Sequence, residues 1–191
     1  MSGRAAHRAA LLWKVPALLV LAALAISVIC GRPLNDWFVD DTRFAEDIRV
    51  AANRHGIDPQ LVRALIFQET RFRPFRTGRK GEIGLMQVLP EGSAADWARV
   101  NKRQVPGRDA LFEPAMNLEI GCWYLSRALR RWKEYDHGLE LALAQYNAGF
   151  RRADRWKPED PRGEVLERID IPSTRSYVKN ICVRYRRYLK K

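Results

Sequence analysis

Cysteine and histidine are scarce in this 191-residue chain, with three of each, and their scarcity removes several classes of protein at once. Three cysteines cannot form a disulfide-framework miniprotein. His7, His55 and His137 stand at no metal-ligand spacing from one another or from a cysteine, so no metal centre and no cofactor are expected. No Ser-His-Asp or Cys-His constellation can be assembled with support from its surroundings, and glycine-rich phosphate loops are missing. No segment alternates apolar and polar residues as half-buried strands do, and there is no internal repeat or low-complexity tract. Acid is the minority charge, 22 Asp and Glu against 34 Lys and Arg, which leaves a net +12. With 47% hydrophobic and 29% charged residues, the chain is neither disordered nor a polytopic membrane protein. What remains is one globular domain with an appendage, and a surplus of positive charge that calls for an anionic partner.

Long apolar runs are equally rare, and the one present lies at the front. Arg4, Arg8 and Lys14 precede Val15 to Cys30, which is apolar apart from Ser27 and ends at Gly31, Arg32 and Pro33. A basic leader, an apolar core and small residues near its end are the anatomy of a secretory signal. With Leu11 to Trp13 included, the run is also about long enough to span a bilayer as an uncleaved anchor. Its basic flank keeps the N-terminus cytoplasmic and sends the rest outward. The chain therefore divides into residues 1–36, a signal sequence or membrane anchor with its linker, and residues 37–191, the exported body. The expected location is the cell envelope, periplasmic or otherwise extracytoplasmic, with residues 11–30 held in the inner membrane.

The body reads as all-α. Asp41 opens a segment with Phe44, Ile48, Ala51 and Ala52 on one face, stopped by Gly56. Asp58 and Pro59 are a helix N-cap and first helical residue, followed by Leu61, Val62, Leu65 and Ile66. Asn117 to Arg131, Leu139 to Tyr146 and Thr174 to Lys191 complete the helical set, the last with Val178, Ile181, Cys182, Tyr185 and Leu189 on its apolar face. Glycine and proline mark loops at Pro74 to Gly84, Gln104 to Pro114 and Lys157 to Gly163, with a short irregular or hairpin piece around Arg76 to Ile83.

One carboxylate is out of place. Glu69 follows Leu65 and Ile66 by four and three residues, so it continues the apolar stripe of its helix, close to the negative end of the helix dipole. Desolvation and the dipole both disfavour its charged form and raise its pKa, as a general acid requires. Arg71, Arg73, Arg76, Arg79 and Lys80 follow closely and would act in the opposite direction if they folded back. Taken alone, the residue also reads as a helix-end cap or ion-pair partner.

The sequence around it narrows the choice. Glu69-Thr70 is followed by Gly84-Leu85-Met86-Gln87 with Pro90, then by Asn117, Ile120-Gly121 and Tyr124-Leu125. Tyr146-Asn147-Ala148-Gly149, Trp156, Ile171-Pro172, Thr174-Arg175 and Tyr177-Val178 complete the series. From about Thr42 to Leu189 this order of blocks resembles the catalytic domain of the soluble lytic transglycosylases, lysozyme-like enzymes that cleave peptidoglycan. The resemblance implies a mainly α, lysozyme-like fold: a single helical catalytic domain behind the N-terminal apolar helix. It implies Glu69 as the catalytic acid, Thr70 as a hydroxyl that orients the carboxyl and contacts sugar, and Met86 as a residue packing on the sugar face. It implies Gln87 as a lining of the cleft, and Tyr146 and Asn147 as the pair facing Glu69 from the opposite helix. Gln145 stands where many members have Ala, and Phe150-Arg151-Arg152 replaces the usual glycine-rich turn, departures expected to alter the rim of the cleft. Glu82 and Asp96, the nearest other carboxylates, match no catalytic position.

The implied reaction is cleavage of the N-acetylmuramic acid–N-acetylglucosamine bond with a 1,6-anhydro product, Glu69 being the sole acid and base. Peptidoglycan strands are the expected partner, alongside the membrane through the apolar segment and an envelope protein complex; nucleic acid is not expected. A hydrolytic muramidase of the same fold and a non-catalytic, membrane-tethered wall-binding module are the alternatives. Trp97, Trp123, Trp132 and Trp156 read as packing residues, Trp156 and Tyr146 also as sugar stackers. Cys122 and Cys182 read as two buried thiols that export would permit to pair. The charge divides unevenly: +3 lies in Met1 to Asp36, +7 in Arg175 to Lys191 and only +2 between them. Lys179, Arg184, Arg187, Lys190 and Lys191 are expected to face outward from the last helix, toward the wall or a lipid surface.

Overall fold

A computed structural model describes residues 38–190 together with Leu19, Val20, Ala22 and Asp36. The chain divides into two compact units, Met1–Asp40 and Asp41–Lys191. The expected signal or anchor at residues 11–30 lies outside the described residues apart from Leu19, Val20 and Ala22. Among the described residues, no helix is long and apolar enough to cross a membrane.

The body is helical. Ala45–Arg54 forms α1 and Pro59–Thr70 forms α2, whose Asp58 cap accepts a hydrogen bond from Gln60 N at 2.8 Å. A π turn at Pro90–Ala94 leads into α3, Ala95–Val100, and Arg108–Phe112 forms α4. Pro114–Arg131 is α5, Gly138–Ala148 is α6, Phe150–Trp156 is α7 and Pro172–Tyr188 is α8. Pro59, Pro114 and Pro172 each stand at a helix start, where a missing N–H costs nothing and the fixed φ is already helical.

Packing follows from the apolar stripes. Helix α6 is apolar on nearly every side and is correspondingly central: Leu141, Ala142, Leu143 and Ala144 are sealed between α5, α7 and α8. Helix α2 lies on α8 through Leu61, Val62, Leu65 and Ile66. Burying one such Leu or Ile side chain stabilises the fold by about 1.5–3 kcal/mol, so these two helices are held firmly at the place where Glu69 projects.

Between α2 and α3 the chain makes the small hairpin expected around Arg76 to Ile83. Antiparallel bridges join Thr77 to Ile83 and Ile83 to Val88, the latter pair exchanging N–H···O bonds of 2.9 Å both ways. Gly84 turns this hairpin with φ +75°, and a Cβ there would lie 2.3 Å from Asn117 Nδ2, so conformation and space both call for glycine. Ile83 and Val88 anchor the hairpin in a cluster with Trp97, Leu111, Ile120 and Trp123.

Several expectations need correcting. The stretch Gln104 to Pro114 is not all loop: α4 forms within it because Leu111 has a fully buried seat to fill. Leu189, placed on the inward face of the last helix, is 55% exposed; that helix ends at Tyr188, which turns inward and donates to Asp41 Oδ2 at 2.8 Å. Arg184 is not an outward cation but lies over the Phe67 ring, 3.3 Å from its centroid. Lys191 lies outside the described residues. Cys122 and Cys182 are both buried and both free, so the pairing that export would permit is not made. Burial pushes the Cys182 thiol up to about 11 and the Cys122 thiol higher still, which leaves both un-ionised at neutral pH.

Candidate active site

The site is built on the last turn of α2. Two consecutive non-glycine residues, Arg71 at φ 52° and Phe72 at φ 61°, stop this helix in left-handed conformations that glycine usually occupies. Phe72 is compensated by burial edge-on to Phe67, with ring centroids 6.4 Å apart. Arg73 Nε caps the carbonyl of Thr70 at 3.1 Å, and Arg71 lies over the Phe67 ring. Arg73 and Arg71 thus serve the helix end and its aromatic neighbour.

Glu69 is partly buried, and its carboxylate Oε1 accepts a hydrogen bond from Tyr177 Oη at 2.6 Å. Burial raises its pKa from 4.5 to about 7; the Tyr177 bond opposes the rise and the negative charge of Glu82 adds to it. A carboxyl raised into that range can donate a proton and, once ionised, accept one within a single cycle. Tyr177 stands on α8 and is only 6% exposed. Burial and the Glu69 charge hold its phenol well above the ordinary tyrosine range, so it remains a hydrogen-bond donor throughout. Tyr146 is close enough for the Glu69 charge to raise its pKa as well, but its Oη donates to Met86 O at 2.8 Å. Its ring meets Tyr124 edge to face at 5.6 Å. Asn147 is exposed at the end of α6, and its Oδ1 accepts from Thr174 Oγ1 on α8 at 2.8 Å. Gln87 braces the hairpin with Nε2, which donates to Gly84 O at 3.0 Å and to Arg76 O at 3.2 Å.

Two of the expected sugar contacts are elsewhere. Thr70 is 1% exposed, its hydroxyl 3.0 Å from Leu85 O and 3.3 Å from Ile66 O, so it ties the helix end to the hairpin instead of facing a sugar. Met86 is fully buried against Gly121, where a Cβ would lie 2.4 Å from its Sδ, and it accepts from Cys122 Sγ at 3.9 Å. Its backbone, not its side chain, meets the site. Gln145 is not a rim residue either: it is buried and accepts from Trp132 Nε1 at 2.8 Å. Phe150 stacks on that same Trp132 with centroids 6.2 Å apart, under Arg131. The two departures at Gln145 and Phe150 are thus one repacked patch. Trp156 is buried and donates to Asp170 Oδ1 at 2.9 Å, as a packing residue.

Tyr177 is the residue that the candidate set lacked. On α8 it shares the spacing of Val178, Ile181 and Cys182 and reads as core; its place in the Tyr177-Val178 block was the available signal. We expect Tyr177→Phe to remove the hydrogen bond that favours ionised Glu69. The basic limb of the kcat/KM profile should then move to higher pH, and kcat should fall by roughly tenfold as the carboxyl loses its orientation. A profile measured from about pH 5 to 9 checks this, and an unmoved limb would show that the bond carries no weight.

The described residues make a mainly helical domain that holds the Glu69 carboxyl, raised by burial, at the end of a buried helix. The family model described as the transglycosylase SLT domain matches residues 46–167, well over half of the chain, and the chain belongs to that family. Among solved structures it is similar to an inactive mutant of the lytic transglycosylase Slt from Pseudomonas aeruginosa, with a TM-score of 0.67 and 24% identity. The 70 kDa soluble lytic transglycosylase from Escherichia coli matches with the same values, as does a complex of the 70 kDa enzyme with bulgecin A. In each case 78% of this chain is covered, and the chain spans 25% of the length of the structure it matches. At that identity the likeness establishes the fold.

Proposed function

We propose that this protein is a peptidoglycan lytic transglycosylase with Glu69 as its sole acid and base. The observation that carries the reading is the carboxyl of Glu69, seated by Tyr177 and raised to about 7. Glu69 protonates the glycosidic oxygen between N-acetylmuramic acid and N-acetylglucosamine as the C1–O bond breaks. The acetamido oxygen of the muramic residue closes on C1 and carries the charge, which replaces the second carboxylate of an ordinary glycosidase. Glu69, now ionised, takes the proton of the C6 hydroxyl; O6 displaces the acetamido oxygen at C1, and the 1,6-anhydro ring forms. The carboxyl ends protonated, as it began, and no water is consumed.

Gln87 and Asn147 line the cleft in this reading, while Thr70, Met86 and Tyr146 fix its walls. Residues 1–36 act as signal or anchor, residues 37–191 as the catalytic domain, and the protein works in the cell envelope on the extracytoplasmic side, tethered to the inner membrane through residues 11–30. Peptidoglycan glycan strands are the substrate and an envelope protein complex the setting. The basic surface of α8 faces wall or lipid.

Hydrolysis is the rival outcome, and one feature favours it: among the described residues, Glu82 is the carboxylate whose charge reaches Glu69, and a second carboxylate could deliver water. Mass spectrometry of digested sacculi decides between them. The expected ends are anhydromuramic, lighter by one water than reducing ends; reducing ends alone would establish a muramidase.

A further inference from the structure

Immediately beyond Asn147, an open pocket of about 760 Å³ is lined by Ala148, Gly149, Phe150, Arg151, Arg152 and Arg155. That volume lies within the range of small-ligand sites, about 300–1,000 Å³. The candidate active site adjoins it through α8: Thr174 donates to Asn147 Oδ1 at 2.8 Å, and Tyr177, three residues further along the same helix, donates to Glu69. The lining is cationic and includes no carboxylate. Phe150 stacks on Trp132 under Arg131, and Arg152 Nη1 donates to Ala148 O at 3.3 Å, which steadies the corner between α6 and α7. Arg151 and Arg155 stand four residues apart on one face of α7 and are exposed. The acid of that helix, Asp154, is engaged by Lys157 Nζ at 2.7 Å, and among the described residues neither Arg151 nor Arg155 makes an ion pair. Like charges gathered about one pocket repel one another, and an anion drawn between them relieves the repulsion.

We propose that this pocket is a peptide subsite of the cleft, in which Arg151 and Arg155 take the carboxylates of the stem peptide carried by a strand bound at Glu69. Charge selects that part of the substrate. The sugar rings and acetamido groups of the strand are neutral and offer the arginines no counter-charge, whereas the stem peptide carries carboxylates. Arginine suits the task because its planar fork meets a carboxylate with two parallel hydrogen bonds. Arg151 and Arg155 are therefore specificity residues, which touch the peptide and not the bond that breaks. The proposal rests on the glycan-cleaving reading, and its test is arranged so that the two can fail separately.

Binding is measured by calorimetry in the full chain carrying Glu69→Gln, where turnover plays no part. Two sets of glycan oligomers are compared, one with the stem-peptide carboxylates free and one with the same carboxylates converted to amides. The free acids should bind more tightly, and Arg151→Gln combined with Arg155→Gln should reduce that preference by roughly threefold to thirtyfold, the combined weight of two exposed ion pairs. The preference should also shrink as salt is raised, because exposed charges are screened. Lysine at both positions keeps the charge but not the fork, and should retain part of the preference. With Glu69 restored, the glutamine pair should raise KM for peptide-bearing strands more than it lowers kcat. Equal affinity of the parent protein for acid and amide oligomers overturns the subsite, as does an unchanged preference in the glutamine pair. So does a loss seen only with phosphatidylglycerol vesicles, which would make the patch a lipid contact. If the wild-type protein cleaves no peptidoglycan but the acid preference and its loss both appear, the catalytic reading fails and the peptide subsite stands.

Discussion

Glu69→Gln should lower the rate of sacculus clearance by about 10²–10⁴-fold, the usual weight of general acid–base catalysis, and yet yield a folded protein that is more stable at alkaline pH. The two effects have one cause. The folded protein holds the Glu69 proton up to about pH 7, whereas the unfolded chain releases it near its ordinary value of 4.5. Between those values the native state binds more proton than the unfolded state, so stability falls as pH rises through this window, and the loss is complete above it. A difference of that size corresponds to at most about 3 kcal/mol. Glutamine has the same shape, still accepts from Tyr177 Oη, and never ionises. Urea unfolding should therefore show wild type and variant equal near pH 4 and the variant ahead near pH 8. Retained turnover would remove Glu69 from the mechanism; equal stability at both values would mean that its carboxyl is not held away from water. Such a pattern, activity traded against stability at one position, is what a site built for chemistry shows.

Much of this was legible beforehand because it is local. The stripe Leu61, Val62, Leu65, Ile66 and then Glu69 is a statement about one helix, and the capping pair Asp58-Pro59 fixes that helix's register without reference to anything distant. What the sequence hid is what long-range packing decides. Tyr177 meets Glu69 across 108 positions, and nothing in the spacing of α8 separates a tyrosine that donates to a carboxylate from one that fills the core. Thr70 and Met86 were picked out by their side chains, but the hydroxyl of Thr70 ties the hairpin to α2, and what Met86 offers the site is its peptide carbonyl, held by Tyr146. Gln145 looked like an altered rim because its Trp132 and Phe150 partners lie in other elements. Glu82 matches no position in the motif series, and only the fold of the hairpin brings its carboxylate over Gly78 beside Gln87.

Asn117→Ala should be the most damaging substitution away from Glu69, although Asn117 meets no substrate. The residue is fully buried on α5, and its amide is completely used. Oδ1 accepts from Met86 N at 2.8 Å, and Nδ2 donates to Ile83 O at 2.8 Å and to Leu111 O at 2.7 Å. One side chain therefore satisfies three backbone groups of the hairpin and of α4 that water does not reach. Truncation takes this partner from Met86 N–H and Leu111 O, while Ile83 O keeps its bond from Val88 N. At roughly 1–3 kcal/mol for each of these two groups, less what local relaxation recovers, the loss should be about 2–5 kcal/mol. For a domain of this size that lowers the melting temperature by roughly 4–20 °C. Asn117→Asp keeps the acceptor for Met86 N but turns an oxygen toward two carbonyls, so it should not rescue the fold. The hairpin should loosen before the helices do, because Met86 N–H loses its bond directly while α2, α6 and α8 keep theirs. Hydrogen exchange at Met86 should accelerate well ahead of the amides of α6, and activity should fall further than the folded fraction, since this segment holds Tyr146, Gln87 and Glu82 in register beside Glu69. A variant that melts within about 2 °C of wild type, with Met86 still protected, would mean that the hairpin is held by Ile83 and Val88 in their apolar cluster and not by the amide of Asn117.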